Sequence, residues 1–195
     1  MSEVELPNPE ELEELKGKAF TRRVALTTAI FAVLLAITSL GGNNAMKEML
    51  LAQQQASDQW AFYQAKVLRE HLYRGQKLRL ELDLLEKDSL KPEVRKRYEE
   101  MLRKMTEEEG RYGAEKKDIE KEAKHLEHER DVNRDKDPYF DYAEVLLQIA
   151  IVMSSIAILA HSRLMFGFSL VSASLGTLLS INGFLMIARL PFFGH

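Results

Sequence analysis

Two histidines are the residues in this chain best spaced for chemistry. His125 and His128 stand three positions apart, with Glu122 and Glu129 close by. On one helical face that set could hold a divalent metal. The surrounding segment is so rich in acids and bases that such a cluster arises by chance, and no metal site is expected. His161 beside Arg163 reads as a helix terminus at an interface, and His195 as a tail residue. No glycine loop for phosphate, no dinucleotide fingerprint and no nucleophile elbow occurs. The 195 residues include no cysteine, which excludes thiolate zinc and disulfides. Lys and Arg number 27 against 30 Asp and Glu, a net charge of −3, so there is no basic face for nucleic acid. The expectation is a protein that is not an enzyme, carries no cofactor and binds no nucleic acid.

The elements that would position any site are helices, and the fold class expected is all-α. The composition, 46% hydrophobic and 29% charged, is sharply segregated. Val24 to Leu40, Val145 to Ala160 and Leu164 to Ile187 contain no Asp, Glu, Lys or Arg. The first is about 25 Å of helix, which two flanking residues at each end extend to a ~30 Å hydrocarbon core. A cleaved signal peptide fits poorly, because the run follows a long acidic tail and Gly41-Gly42-Asn43-Asn44 is a poor cleavage site. The link His161-Ser162-Arg163 demands a tight antiparallel turn.

The organisation expected is therefore a tail over 1–23 carrying a short amphipathic helix, a transmembrane helix over 24–41, and an extramembrane helical segment over 42–142. Transmembrane helices over 143–161 and 164–188 follow, then a C-terminal tail over 189–195. In the first tail Asn8 caps, Pro9 takes the first helical position, and Glu10 and Glu11 fill the acidic first turn. Leu12, Leu15 and Phe20 could rest on the inner leaflet. Lys16, Lys18, Arg22, Arg23 and Arg163 fall on one side of three crossings, and the positive-inside rule makes that side cytoplasmic. Lys124, Arg130, Arg134, Lys136 and Arg189 vote the other way, the first four from a segment too long to count reliably.

Each span carries small residues at spacings of four and three. They are Ala25, Ala29, Ala32, Ala36 and Ser39 in the first, Ala150, Ser154, Ala157 and then His161 in the second, and Ser169, Ala173, Gly176, Ser180 and Gly183 in the third, where Ser172, Gly176 and Ser180 form a second row. Small side chains let helices approach closely in lipid, so these residues are expected to pack a helical bundle or homo-oligomer. The absence of charge inside the spans weighs against an active transporter.

Residues 42–142 read as an antiparallel, coiled-coil-like helical hairpin. A first arm follows the seam Met46, Met49, Gln53, Ala56, Trp60, Tyr63 and Val67, resuming at Leu78, Leu82 and Leu85. A turn falls over Glu86 to Lys91, and Pro92 suits the first turn of a new helix. The second arm repeats every seven residues at Tyr98, Met105, Tyr112, Ile119 and Leu126. The companion positions, Met101, Glu108, Glu115, Glu122 and Glu129, are mostly acidic, giving half a seam. Gly110 and Gly113 suggest a bend, and Asp137-Pro138 an end to the arm.

Ala56 to Lys66 reads ASDQWAFYQAK. It resembles the signature of a bacterial membrane-protein family, domain of unknown function 4337. That family is similar to this chain throughout, with an acidic tail, one span, this segment, a charged helical excursion and a terminal pair of spans. Its turn between the last two spans is often richer in arginine than His161-Ser162-Arg163. The resemblance implies a bacterial inner-membrane location and supplies no activity.

Asp58, Gln59, Trp60, Phe62, Tyr63, Gln64 and Lys66 are the candidate interaction residues, with Trp60 and Tyr63 the expected key assembly contact. Packing against the return arm and contact with a neighbouring subunit are both open for them. The function expected is a homo-oligomeric scaffold or interaction module of the inner membrane, in contact with lipid and with other membrane-complex subunits. The alternative is a channel or an accessory subunit of a transport or respiratory complex.

Overall fold

The computed structural model describes residues 9–86 and 90–188, with side chains from Lys16 onward. Three helices account for nearly all of them: α1 (Pro9–Glu86), α2 (Pro92–Leu159) and α3 (Arg163–Leu185). Among the described residues there is no strand. Asn8, Lys87, Asp88 and Ser89 of the expected turn, and Arg189 and His195 lie outside the described residues, as do the side chains of Pro9 to Leu15. Two compact units divide the chain, one of Met1–Glu48 with Val132–His195 and one of Met49–Asp131.

Three stretches that contain helix-disfavouring residues are helical. The chain runs through Gly41-Gly42-Asn43-Asn44 without leaving α1. Glycine in a helix costs about 1 kcal/mol relative to alanine, and here close packing explains its use. A Cβ on Gly41 would lie 2.5 Å from the Phe184 ring and 2.7 Å from Phe140, and one on Gly42 3.1 Å from the Phe140 Cβ. Gly110 and Gly113 likewise sit inside α2. Pro138 is also inside α2, so the helix continues where Asp137-Pro138 was expected to end it. Proline there removes one helical hydrogen bond, at a cost of about 3 kcal/mol. Tyr139 and Phe140, both buried directly after it, supply packing that offsets the loss.

The first unit is built on small residues. On α2, Phe140, Ala143, Leu147, Ala150, Ser154 and Ala157 are buried at alternating spacings of three and four. On α3 the buried face is Ser169, Ala173, Gly176, Ser180 and Gly183. The two faces meet: the Ser154 hydroxyl donates to Ser169 Oγ at 3.0 Å, and Ser172 Oγ donates to the Leu146 carbonyl at 2.7 Å. A Cβ on Gly176 would stand 3.0 Å from the Ala143 carbonyl oxygen. From α1, Val24, Phe31, Thr38 and Ala45 are buried, each seven residues after the last. Phe31 joins Leu147, Ala150 and Ala173 in the apolar core. Thr38 Oγ1 donates to Ser180 Oγ at 2.8 Å.

Apart from Val24, Leu147 and the partly buried Leu34, Leu35 and Ile151, many large aliphatic side chains of this unit point outward. Leu26, Ile30, Val33, Ile37 and Leu40 of α1 are exposed, as are Ile149, Val152 and Ile156 of α2 and Val171, Leu175 and Leu178 of α3. Each helix contains a stretch long and apolar enough to cross a membrane, with mean hydropathy 2.2, 2.0 and 1.8, yet only 22%, 28% and 22% of those stretches is buried.

The turn between α2 and α3 is as short as expected. His161 takes a left-handed conformation (φ 46°), and the Ser162 N–H donates to the Ala157 carbonyl at 3.1 Å. Ser162 then caps α3 by accepting from the Met165 N–H.

Candidate interaction surface

The second unit pairs α1 from Met49 with α2 to Asp131, and its seam is polar. Gln53 pairs with Arg130, Trp60 with Glu127, Lys66 with Glu115, and Arg74 with Glu109. Partner numbers fall along α2 as they rise along α1, so the two stretches run in opposite directions. On α1 the shielded positions include Ala52, Ala56, Gln59, Tyr63, Lys66, Glu70, Tyr73, Lys77 and Leu80, alternating in steps of three or four. Of the apolar seam, Met49, Ala56, Trp60, Tyr63 and Val67 are shielded, whereas Met46, Gln53, Leu78, Leu82 and Leu85 are exposed. On α2 the sevenfold series through Met105, Tyr112, Ile119 and Leu126 is shielded. Its companions follow four positions later, at Leu102, Glu109, Lys116, Ala123 and Arg130, rather than three.

Glu70 is the centre of this seam. Its carboxylate is buried and accepts from Arg74 Nη2 at 3.1 Å and from Lys116 Nζ. Arg74 Nε donates onward to Glu109 at 2.7 Å, and Lys77 Nζ donates to the other Glu109 oxygen at 3.3 Å. These contacts hold Glu109 below the ordinary glutamate range, the hydrogen bond from Arg74 contributing most. Glu115 is lowered too, chiefly by its hydrogen bond from Lys66. Tyr112, also buried, stacks on Tyr73 with ring centroids 5.5 Å apart. Lys66 and Arg111 lie 5.2 and 4.8 Å from its ring centre. Beside Glu70, Gly110 and Gly113 line an open groove of about 690 Å³.

The seven residues singled out from the sequence divide between two faces. Trp60 Nε1 donates to Glu127 Oε1 at 2.9 Å, and its ring meets Tyr63 edge-on at 5.4 Å. Gln59, Tyr63 and Lys66 are partly shielded on the same side. Asp58, Phe62 and Gln64 are exposed; Asp58 accepts from Gln54 at 3.1 Å, and the Phe62 ring lies 5.1 Å from Lys66 Nζ. Of the helix-packing residues, Ala150, Ser154, Ala157, Gly176 and Ser180 are buried and Ser172 is partly so. Ala25, Ala29, Ala32 and Ala36 face outward, and Val24, Phe31 and Thr38 take the inner positions of α1.

What sequence reasoning missed is the face of α1 turned away from the seam. Leu68, Leu72, Leu78, Leu82 and Leu85 lie there, and Leu68 and Leu85 are 71% and 75% exposed. Their signal is a second periodic series offset from the first, which merges with it when apolar residues alone are counted. His125 Nδ1 lies 3.9 Å from Glu129. Among the described residues no group of three or more His, Cys, Asp or Glu side chains is placed to hold a metal.

Neither the curated proteins nor the solved structures compared with this chain include a significant match. A family model does match, described as Domain of unknown function (DUF4337), over residues 20–186. That match takes in the described parts of all three helices from Phe20 to Met186, and the chain therefore belongs to the DUF4337 family.

Proposed function

We propose that this protein is a non-enzymatic, integral protein of the bacterial inner membrane that assembles with copies of itself into a scaffold. Three spans would come from the apolar stretches of α1, α2 and α3. The antiparallel helices of 49–131 would form a hairpin outside the membrane, on the periplasmic side by the positive-inside rule. The observation that carries the reading is the outward placement of large apolar side chains in both units. In the first unit small and hydroxyl residues make up much of the interior beside Val24, Phe31, Phe140 and Leu147, while many large aliphatic side chains face outward, a pattern favoured in lipid. In the second, the outer leucines of α1 are exposed, with no cover among the described residues.

A second copy suits those leucines for a geometric reason. Copies inserted in one membrane share one orientation, so identical stripes meet at the same height. Leu68 and Leu82 are fourteen residues apart and Leu78 and Leu85 seven, a spacing that favours a left-handed supercoil. The test is extraction and native mass spectrometry of the full chain. The reading expects resistance to alkaline carbonate, release by mild detergent, and a mass of two or more chains that falls to one in Leu78→Glu/Leu82→Glu. Release by carbonate would overturn the membrane assignment, and a monomeric wild type would overturn the scaffold. Orientation follows from Lys96→Cys, the only thiol in the chain: labelling of whole cells by an impermeant reagent is expected, and protection until lysis would reverse it.

A further inference from the structure

We infer that a small cavity in the first unit binds the headgroup of an aminophospholipid, its phosphate and primary ammonium together. This rests on the membrane reading above. The cavity, of about 160 Å³, is lined by all three helices. Its apolar wall is the edge-on pair Phe140 and Phe184, with ring centroids 4.9 Å apart. Gly41 and Gly183 let those rings come close, since a Cβ at either would lie within 3.1 Å of one of them. The remaining lining is polar, with Asn44, Glu48, Asn133 and Lys136.

The charges in that lining are one cation and one anion that do not pair with each other. Lys136 Nζ donates to Asn133 Oδ1 at 3.0 Å, an anchor that leaves two ammonium protons for a phosphate. Glu48 enters no ion pair among the described residues and is exposed at the rim. A phosphate diester beside a primary ammonium satisfies both charges at once. An anionic headgroup without an amine would face the Glu48 carboxylate uncompensated. A quaternary amine would present no N–H to Glu48 or to the Asn44 side-chain oxygen.

Position along the helices supports a lipid rather than a soluble source. One turn before Gly41 and Gly183 lies the Thr38–Ser180 contact inside the apolar stretch, whereas Glu48 and Lys136 belong to charged sequence. Beside the cavity Ile37, Leu40 and Ile181 are exposed, an apolar surface on which acyl chains can lie.

The experiment uses the full chain in vesicles of equal parts dioleoyl phosphatidylethanolamine, phosphatidylcholine and phosphatidylglycerol, released in mild detergent. Native mass spectrometry then counts the lipid retained. The ethanolamine lipid is expected at least fivefold over either other. Lys136→Met should cut its retention about tenfold, and Glu48→Gln should bring the ethanolamine-to-glycerol ratio close to one. Both substitutions are at partly or fully exposed side chains, and unchanged helical circular dichroism verifies folding. Equal retention of the three lipids, or unaltered retention in both folded variants, would overturn the inference. Displacement of the lipid by millimolar phosphoethanolamine would assign the cavity to a soluble amine phosphate and overturn the lipid source. Failure of the wild type to enter vesicles would overturn the membrane reading as well, whereas entry without discrimination removes only this inference.

Discussion

The indole N–H of Trp60 donates to the carboxylate of Glu127, 67 residues away, at 2.9 Å. That bond ties the most distinctive residue of the family-like segment to the opposite helix of its own unit. Trp60→Phe removes the donor and part of the ring, so it should lower the unfolding free energy of this unit by at least about 0.5–1.5 kcal/mol. Little further loss is expected on adding Glu127→Gln, and a double-mutant cycle by denaturant unfolding measures the coupling. Oligomer mass should stay unchanged in Trp60→Phe.

Glu70 accepts from two cations in a buried position. Glu70→Leu alone removes the ion-pair partner of Lys116 and one of the two acceptors of Arg74, and is expected to cost about 1–3 kcal/mol. Combining it with Lys116→Leu should recover much of that loss, because an apolar pair can replace a shielded ion pair at little net cost. Thermal unfolding of single and double variants tests the contrast.

The glycines should divide by what a side chain would meet. Gly41→Val drives carbon into Phe140 and Phe184 and should destabilise the first unit by about 1–3 kcal/mol. A Cβ on Gly110 meets nothing within 4 Å, so Gly110→Ala should stabilise by about 0.5–1 kcal/mol through helix propensity. Paired melting curves against wild type read both signs.

Acid should loosen the second unit. The carboxyls of Glu109 and Glu115 are held low in the folded chain, chiefly by hydrogen bonds from Arg74 and Lys66 respectively. A depressed folded value adds stability above the unfolded value, near 4.3 for glutamate, and that stability is lost as pH falls through the folded one. Asp137 has the opposite sign: burial, then the neighbouring Asp141, raises it, so its ionised form disfavours folding and acid relieves the penalty. Hydrogen exchange between pH 6 and 3 should therefore show protection falling within 49–131, and falling less steeply there in Arg74→Ala.

Much of the fold is legible because hydropathy is a strong signal over long runs. The three apolar stretches, the short turn at His161 to Arg163 and the sevenfold series from Met105 to Leu126 are all readable on that basis. The seam on α1 is harder, because its inner positions are Gln59, Lys66, Glu70 and Lys77 while leucines take the outer ones. A reading that equates apolar with inside holds at Ala56, Trp60, Tyr63 and Val67 and leaves the seam at Leu78, Leu82 and Leu85. Gly41 and Pro138 mislead for a related reason: each is a local helix breaker, and aromatic packing that only tertiary structure supplies overrides it. The polar cavity near Glu48 and Lys136 was illegible, since its lining comes from three helices distant in sequence.

The paired charges between the two stretches of 49–131 also bear on how this family can diverge. Glu70 is shared by Arg74 and Lys116, and Glu109 by Arg74 and Lys77, so a charge reversal at any one of them sets like charges together, whereas reversal of the whole set preserves the attraction. Lineages should therefore drift at these sites together, and co-varying columns would mark the helix register.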